Sequence, residues 1–210
     1  MSVQGNNLDL LGTGTRRIFS YDHAQQNLTT FATNFSAGTG TNLLRTPDRT
    51  IYVTNPDQQQ VLHFAWSGTV LPQLISLGNL VCPILVTADA SNMQVLVTDG
   101  LHDQIIVFNK LGTPINIIKL QHVRAIATMV AGPDGIYLVD RPAKQVVALG
   151  CDGRFRYAFG PDALSDPGSI SVNRDNLVFI SDNFKQVIKV NRILRTGNKT
   201  IGLADIFGGA

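Results

Sequence analysis

The chain of 210 residues contains no glutamate, and all fifteen of its acidic residues are aspartates. Glutamate is among the commonest residues of soluble intracellular proteins, so its absence is unusual. The absence also removes chemistry, since glycoside hydrolases pair two carboxylates and often use a glutamate as the general acid. The composition therefore disfavours this class of enzyme.

Charged residues are scarce as well, at 15% of the chain, and the formal net charge is +2. So small a net charge produces no strong field that would attract nucleic acid. Three local basic clusters, Arg16-Arg17, Arg154 to Arg156 and Arg192 to Arg195, fall at predicted strand edges or turns and are interpreted as solvated. Nucleic acid is therefore not an expected partner. A surface rich in uncharged polar residues is instead typical of extracellular and virion assembly proteins.

Long apolar runs and paired cysteines are also missing. No window approaches about 18 consecutive apolar residues, so no membrane span is predicted. The first seven residues lack the basic region and apolar core of a signal peptide. Cys82 and Cys151 occupy unrelated positions, and free thiols are expected. These features predict cytoplasmic synthesis and no membrane partner, and they leave open later incorporation into a virion or surface assembly.

A short apolar stretch that ends in aspartate or asparagine recurs five times along the chain. The copies end at Asp22, Asn55, Asp99, Asp140 and Asp182. A glutamine follows each one after four or five residues, at Gln26, Gln60, Gln104, Gln145 and Gln186. A residue able to adopt positive φ comes later in each copy, at Asn34, Gly68, Gly112, Gly153 and Gly197. The spacing of the glutamines is that of β-propeller blades.

The third copy shows what one repeat builds. Four short strands are predicted at 83–87, 94–98, 105–108 and 114–120, separated by polar turns. No stretch of the chain keeps helical apolar spacing over three turns. The pattern predicts an all-β, five-bladed β-propeller of four-stranded antiparallel blades. Its second strands are expected at 17–22, 50–55, 94–99, 136–140 and 177–182.

Five such units fill the chain, which predicts a single domain over 1–210. The expected blades are approximately 7–40, 41–80, 81–122, 123–166 and 167–210. Residues 7–13 form the inner strand of the first blade, and residues 200–207 form the outermost strand of the last. No blade is shared between the chain ends, so closure depends on packing unless residues 1–6 add an edge strand.

The repeat resembles that of the NHL family of β-propellers, whose blades carry a Tyr-Val-x-Asp strand end, a short loop, an Arg-Ile pair and a Gly turn. The matching strand ends are Tyr52-Val53-Thr54-Asn55, Val97-Thr98-Asp99 and Tyr137-Leu138-Val139-Asp140. The matching pairs are Gln60-Val61, Gln104-Ile105, Gln145-Val146 and Gln186-Val187, with glutamine in place of arginine in every copy. The resemblance implies the fold. Family members bind proteins or RNA, and related propellers include metal-dependent lactonases and lyases.

The five strand-end residues Asp22, Asn55, Asp99, Asp140 and Asp182 are the candidate binding residues. The predicted fold places them in a ring on one face, where their oxygens would collect a cation or sugar hydroxyls. In the alternative interpretation each accepts hydrogen bonds from its own loop and from the following glutamine, whose amide can donate to a carboxylate. That alternative makes the five residues structural.

Histidines are the candidate metal ligands. His23, His102 and His122 are predicted in loops that emerge on that same face, and a His-only metal site is known among the related lyases. However, His23 follows its aspartate directly and His102 follows after three residues, so the positions do not repeat. No metal site and no cofactor are predicted. His63 is assigned to packing within a third strand.

No nucleophile constellation is apparent in the sequence. The predicted function is therefore a non-enzymatic interaction or assembly module, a structural component of a larger complex such as a virion or surface filament. Its expected partners are proteins, including copies of itself. A carbohydrate-binding lectin with a glycan ligand is the alternative, although aromatic residues recur mainly within strands. A metal-dependent, lactonase- or lyase-like enzyme is the third hypothesis.

Overall fold

The computed structural model describes residues 2–4, 7–12, 14–33, 35, 42–74, 79–89, 93–121, 123–193 and 200–207. These residues form twenty β-strands in five antiparallel sheets and one turn of 3-10 helix, Pro56–Gln58. No α-helix occurs among them. In this part of the chain no helix has the length and apolar character needed to cross a membrane.

Residues 1–119 form one compact unit of three sheets. The first sheet contains β1 (Ser2–Gln4), β2 (Asn7–Gly12), β3 (Arg17–Asp22) and β4 (Asn27–Thr33). The second contains β5 (Leu43–Arg45), β6 (Ile51–Asn55), β7 (Gln60–Phe64) and β8 (Val70–Leu74). The third contains β9 (Pro83–Asp89), β10 (Gln94–Asp99), β11 (Gln104–Asn109) and β12 (Pro114–Lys119). In each sheet the strands are neighbours in chain order.

Residues 120–210 form a second unit of two sheets. One contains β13 (Ile126–Gly132), β14 (Gly135–Asp140), β15 (Gln145–Leu149) and β16 (Phe155–Phe159). The other contains β17 (Pro167–Val172), β18 (Leu177–Asp182), β19 (Val187–Ile193) and β20 (Thr200–Phe207). These five meanders make the protein a five-bladed β-propeller, as the repeats predict.

The predicted second strands correspond to β3, β6, β10, β14 and β18, and each begins within one residue of its expected position. Gly68, Gly112 and Gly153 have φ values of 83°, 83° and 82°, so the turn prediction is confirmed for these three copies. Asn34 and Gly197 lie outside the described residues. Cys82 and Cys151 form no disulfide bond, as expected.

The first sheet differs from the other four because its set of four strands is completed by β1, at the start of the chain. β1 pairs with β2 along the edge away from β3, with Val3 opposite Leu8. β1 is thus the additional edge strand that the sequence left open, and β2 lies second in this sheet rather than at its inner edge, where the strand at 7–13 was expected. No strand beyond β4 occurs among the described residues of this sheet.

The core of the first unit lies between neighbouring sheets, because their middle strands are buried on both faces. One cluster brings Tyr52 and Leu74 of the second sheet against Val97 and Phe108 of the third. Another packs Ile18 of the first sheet against Phe64 of the second. In the second unit, a cluster centred on Tyr137 does the same for its two sheets. Full burial of a side chain of this size contributes about 1.5–3 kcal/mol.

Candidate functional site at the ends of the second strands

The structure places each of the five candidate binding residues at the last position of a second strand. Asp22, Asn55 and Asp99 end β3, β6 and β10 in the first unit, and Asp140 and Asp182 end β14 and β18 in the second. All are buried except Asp22, which is half-buried. Because a buried carboxylate requires hydrogen-bond donors, the partners of each residue decide what it can do.

Asp99 shows the arrangement most fully. Its carboxylate accepts hydrogen bonds from the backbone N–H groups of Val81 and Cys82, at 3.1 Å each, and of Leu101 at 3.0 Å. Nδ1 of His102 lies 2.8 Å from Oδ2 of the same carboxylate. Burial alone would raise the pKa of Asp99, but these hydrogen bonds outweigh it and hold the pKa below 3.8. Asp99 therefore ties the connection that enters its sheet to the end of β10.

Asp182 repeats this arrangement in the last sheet. It accepts hydrogen bonds from the backbone N–H groups of Ser165 at 2.8 Å, Asp166 at 3.2 Å and Lys185 at 3.2 Å. Burial raises its pKa, and the bonds from these three N–H groups together lower it below the ordinary value. The carboxylate joins the connection before β17 to the loop after β18.

Asp140 holds the connection before β13 through the N–H groups of Arg124 at 3.0 Å and Ala125 at 3.4 Å. It also accepts a bond from Nε2 of Gln145 at 3.5 Å. This is the contact between strand-end residue and glutamine that the sequence suggested. Gln145 therefore lies near its aspartate as well as following it along the chain.

The remaining glutamine contacts differ between sheets. Gln104 is buried, donates from Nε2 to the carbonyl of Asn79 at 2.6 Å, and accepts from Nζ of Lys119 at 2.5 Å. Gln60 donates to Oε1 of Gln58 at 2.7 Å. Gln60, Gln104 and Gln145 thus have different partners in their three sheets.

Asp22 and Asn55 hold their own loops. Asp22 accepts from the N–H groups of Ala24 at 2.9 Å and Gln25 at 3.1 Å. Nδ2 of Asn55 donates to Oε1 of Gln58 at 3.0 Å. The five equivalent positions therefore present different chemistry, and carboxylate oxygens at three of them bind the backbone of the entering connection.

Of the three candidate metal ligands, the structure describes His23 and His102, and their surroundings differ. His102 lies beside Asp99, whereas His23 is exposed and lies near the ring of Tyr21. His122 lies outside the described residues. Among the residues that the structure does describe, no three His, Cys, Asp or Glu side chains are grouped so that they could hold a metal ion.

His63 is packed in β7, as the sequence predicted. Its ring stacks on Tyr52, with the ring centroids 4.4 Å apart and the planes 12° from parallel. Nε2 is buried without a hydrogen-bond partner. Desolvation lowers the pKa of His63, opposed by a hydrogen bond with the backbone of Pro72 and by the charge of Asp48.

A buried ion pair was not predicted from the sequence. Arg45 on β5 donates from both Nε and Nη2 to Asp9 on β2, the second of these bonds being 2.6 Å long. The guanidinium also lies 5.2 Å from the ring centre of Phe31. An arginine within the short apolar segment Leu43–Arg45 was the signal that could have indicated a buried charge and hence a buried partner.

A cavity of about 210 Å³ lies between the second and third sheets, at the end where their hairpin turns meet. Asp48, Tyr52, Asp89, Met93 and Lys110 are among the residues that line it. Asp48 accepts bonds from the hydroxyls of Thr46 at 2.5 Å and Thr50 at 2.6 Å. Burial raises the pKa of Asp48, and these bonds lower it overall. The carboxylate thus shapes its own turn.

Large apolar side chains are exposed on several loops and turns. The exposed fractions are 70% for Trp66, 76% for Leu111 and 80% for Phe184, and Met93 and Leu101 are also exposed. Trp66, Met93 and Leu111 belong to hairpin turns, whereas Leu101 and Phe184 belong to loops that follow second strands. Sequence analysis assigned no site to these positions.

No family model matches the chain, and no curated protein matches it. Several solved structures, however, are similar to it in fold. A streptogramin B lyase superposes with a TM-score of 0.72 at 14% identity, over 97% of this chain and 66% of the lyase. A catalytically inactive histidine-to-alanine variant of virginiamycin B lyase from Staphylococcus aureus, with quinupristin, gives 0.69 at 11% identity, over 92% and 63% of the two chains. The chain thus spans slightly less than two thirds of the length of these lyases.

A structure of a nidogen/laminin complex is similar to the same degree. Its TM-score is 0.72 at 16% identity, over 94% of this chain and 75% of the other. At such low identity these likenesses establish the fold and no more.

The comparisons correct one prediction. We expected that this chain is not an enzyme, because the sequence lacks glutamate and a nucleophile constellation. That prediction is wrong as made, since lyases share the fold over more than nine tenths of this chain and the fold therefore does not exclude catalysis. Absence of a sequence motif is poor evidence against catalysis on a propeller, because residues from separate blades can form a site without any local pattern.

Proposed function

We propose that this propeller binds other proteins and works within a larger assembly that includes copies of itself. The observation that carries the proposal is the exposure of large apolar side chains on its loops and turns, led by Trp66, Leu111 and Phe184. Aromatic residues are enriched at protein interfaces, where they supply much of the binding energy. When a partner covers such side chains, apolar surface is removed from water and the free energy of the complex is lowered.

The polar groups of the candidate site support the same proposal. The carboxylates of Asp99, Asp140 and Asp182 are held by backbone N–H groups of their own connections. A ligand that relied on these oxygens would compete with those bonds. Apolar contact is therefore a better basis for recognition than the strand-end carboxylates, whose binding role stays a secondary proposal.

Two further facts favour protein partners. One of the structures with a similar fold is a complex of nidogen with laminin. The net charge of +2 also gives little electrostatic repulsion between copies of the chain. Within this proposal, residues 1–210 act as one domain in an NHL-like repeat, with the blade limits given above except that the first blade also includes β1. A virion or a surface filament is the kind of assembly that such a domain suits.

Sedimentation velocity over a broad range of protein concentration tests the proposal. We expect the weight-average sedimentation coefficient to rise with concentration, because association follows mass action. A glycan array probed with the same sample tests the lectin alternative. A chain that stays monomeric and binds a defined glycan would overturn the proposal in favour of a lectin.

One observation favours a second candidate function, catalysis. His102 is held by the buried carboxylate of Asp99, and about a third of the His102 side chain remains exposed. A histidine oriented in this way by a carboxylate is the arrangement of a general base. The inactive lyase variant named above also lacks a histidine.

The test of this candidate is incubation of the protein with quinupristin, followed by mass spectrometry. Conversion by the wild type and its loss in His102→Ala would support an enzyme. The His23→Ala variant is the control, because His23 is exposed and belongs to the equivalent loop of the first sheet. No conversion by the wild type, or equal conversion by His102→Ala, would remove His102 from consideration as the base in this reaction.

A further inference from the structure

We propose that β12, the outer strand of the third sheet, pairs in antiparallel fashion with β12 of a second copy of the chain. This inference rests on the proposed function and names the surface through which copies meet. It follows from the exposure, the backbone hydrogen bonding and the charge of this one strand.

The side chains of β12 form an exposed apolar surface at a sheet edge. Ile115 is 50% exposed and Ile117 is 37% exposed, while Ile118 is buried against the core. The strand order of the third sheet places β12 at one end, paired with β11 along one side. An exposed apolar strand at a sheet edge is a template for pairing with another chain.

The backbone of β12 offers a donor along this edge. The N–H of Ile117 donates to Oδ1 of the neighbouring Asn116 side chain at 2.8 Å, and this bond is exposed. In an antiparallel strand the N–H and C=O of one residue point to the same side, so the carbonyl of Ile117 is directed to the edge as well. The Asn116 amide thus occupies the place that a carbonyl of an added strand would take.

No charged side chain within β12 opposes pairing at this edge. Edge strands are commonly protected by lysine, proline or a covering loop. The one charged side chain of β12, Lys119, lies at the end of the strand and donates from Nζ to Oε1 of Gln104 on β11. Its ammonium group is therefore drawn back over its own sheet.

Three other outer strands carry such protection within the strand, whereas the proline and the lysine of β12, Pro114 and Lys119, lie at its two ends. β8 contains Pro72 in its middle, which has no backbone N–H to offer an added strand. β16 carries a charged side chain, Arg156, within the strand. In β4 the carbonyl of Phe31 lies against Gly68, in a turn of the second sheet.

β12 is also compatible with itself. Antiparallel pairing about a two-fold axis near Ile117 brings isoleucines of the two copies side by side and keeps Lys119 away from its own counterpart. No like charges then face each other, which is a requirement for stable cross-strand pairs. Stable interfaces typically bury about 800 Å² of surface on each partner. A strand of six residues buries less than this, so the pairing is expected to be weak and concentration-dependent.

The experiment compares the wild type with Ile117→Lys and Leu28→Lys by sedimentation velocity. Leu28 is 56% exposed on β4, the outer strand of the first sheet, so both variants add one lysine at an exposed apolar position of an outer strand and leave the core unchanged. We expect Ile117→Lys to move half-association to a roughly tenfold higher concentration or more, because it places two lysines at the two-fold axis. Leu28→Lys is expected to associate like the wild type.

A third variant, Asn116→Ala, is expected to strengthen self-association, whereas Ile117→Lys is expected to weaken it. It removes the side chain that occupies the Ile117 N–H, so association is expected to become tighter. Circular dichroism melting curves of all variants establish that they fold.

Wild-type association that Ile117→Lys leaves unchanged would overturn the β12 proposal while the proposed function stands. The same holds if Leu28→Lys, and not Ile117→Lys, weakens association. A wild type that is monomeric at every concentration would overturn both.

Discussion

Arg45 and Asp9 form a bidentate ion pair that joins β5 of the second sheet to β2 of the first, with both side chains almost completely buried. The pair lies 36 residues apart in sequence, so it fixes how two sheets of the first unit pack rather than how one strand forms. A buried pair of this kind is costly to break, because removal of one member leaves the other charge without compensation.

The first prediction follows from this pair. Arg45→Met and Asp9→Leu should each lower the free energy of unfolding by about 3–5 kcal/mol, and the double variant should recover much of that loss. Urea denaturation of the four proteins provides the measurement. Losses that simply add in the double variant would mean that the two charges do not stabilise each other.

The second prediction concerns Asp99 as the residue that holds the connection entering the third sheet. Asp99→Ala should cost about 1–3 kcal/mol, because it leaves the buried N–H groups of Val81 and Cys82 without an acceptor. Asp103→Asn is the control, since Asp103 is exposed in the same loop and asparagine tolerates its φ of 47°. Thermal melts compare the two. Equal melting temperatures for both variants would show that the bonds to Val81 and Cys82 do not stabilise the fold.

The third prediction concerns Gly68, whose φ of 83° is rarely adopted by other residues and where an added Cβ would lie too close to the carbonyl oxygen of Phe31. Gly68→Ala combines backbone strain with a clash against backbone, so we expect a loss of about 1–3 kcal/mol. Gly14→Ala is the matched control, because an added Cβ there meets no atom within 4 Å. If urea midpoints fall equally for both variants, close packing at Gly68 is not the cause.

The repeat made the fold predictable because strand, turn and glycine positions are local features that recur at fixed offsets. The second strands and the turns at Gly68, Gly112 and Gly153 were therefore found from the sequence alone. β1 was left open because three residues at the start of the chain carry too little pattern to indicate their partner strand. Its position depends on β2, which offers a free edge.

The candidate site was less predictable, because its hydrogen bonds come from distant segments. Asp99 and Asp182 accept bonds from connections 16 to 18 residues earlier in the chain. The sequence pointed instead to each residue's own loop and to the following glutamine. The own-loop bonds are present at Asp99 and Asp182, whereas the described contacts include the glutamine bond for Gln145 but give Gln104 other partners. Equal spacing in sequence thus predicted equal position in the fold, and not equal chemistry.

The last prediction is a pH dependence that originates at His63. Desolvation lowers the pKa of this buried imidazole in the folded state below its ordinary value of 6.5, and the unfolded state retains that ordinary value. As the pH falls below 6.5, the unfolded chain therefore binds a proton that the folded chain resists, and stability is lost towards the folded-state pKa. Above 6.5 both states are neutral at this residue, and His63 contributes no pH dependence.

His63→Phe should reduce the loss of stability between about pH 7.5 and about pH 5, because phenylalanine keeps the stacked ring on Tyr52 and cannot bind a proton. The measurement is the free energy of unfolding in urea at the two pH values for the wild type and the variant. His23→Phe controls for the loss of a histidine, since His23 is exposed. A decline with falling pH that is as steep in His63→Phe as in the wild type would show that other groups, such as the carboxylates, cause it.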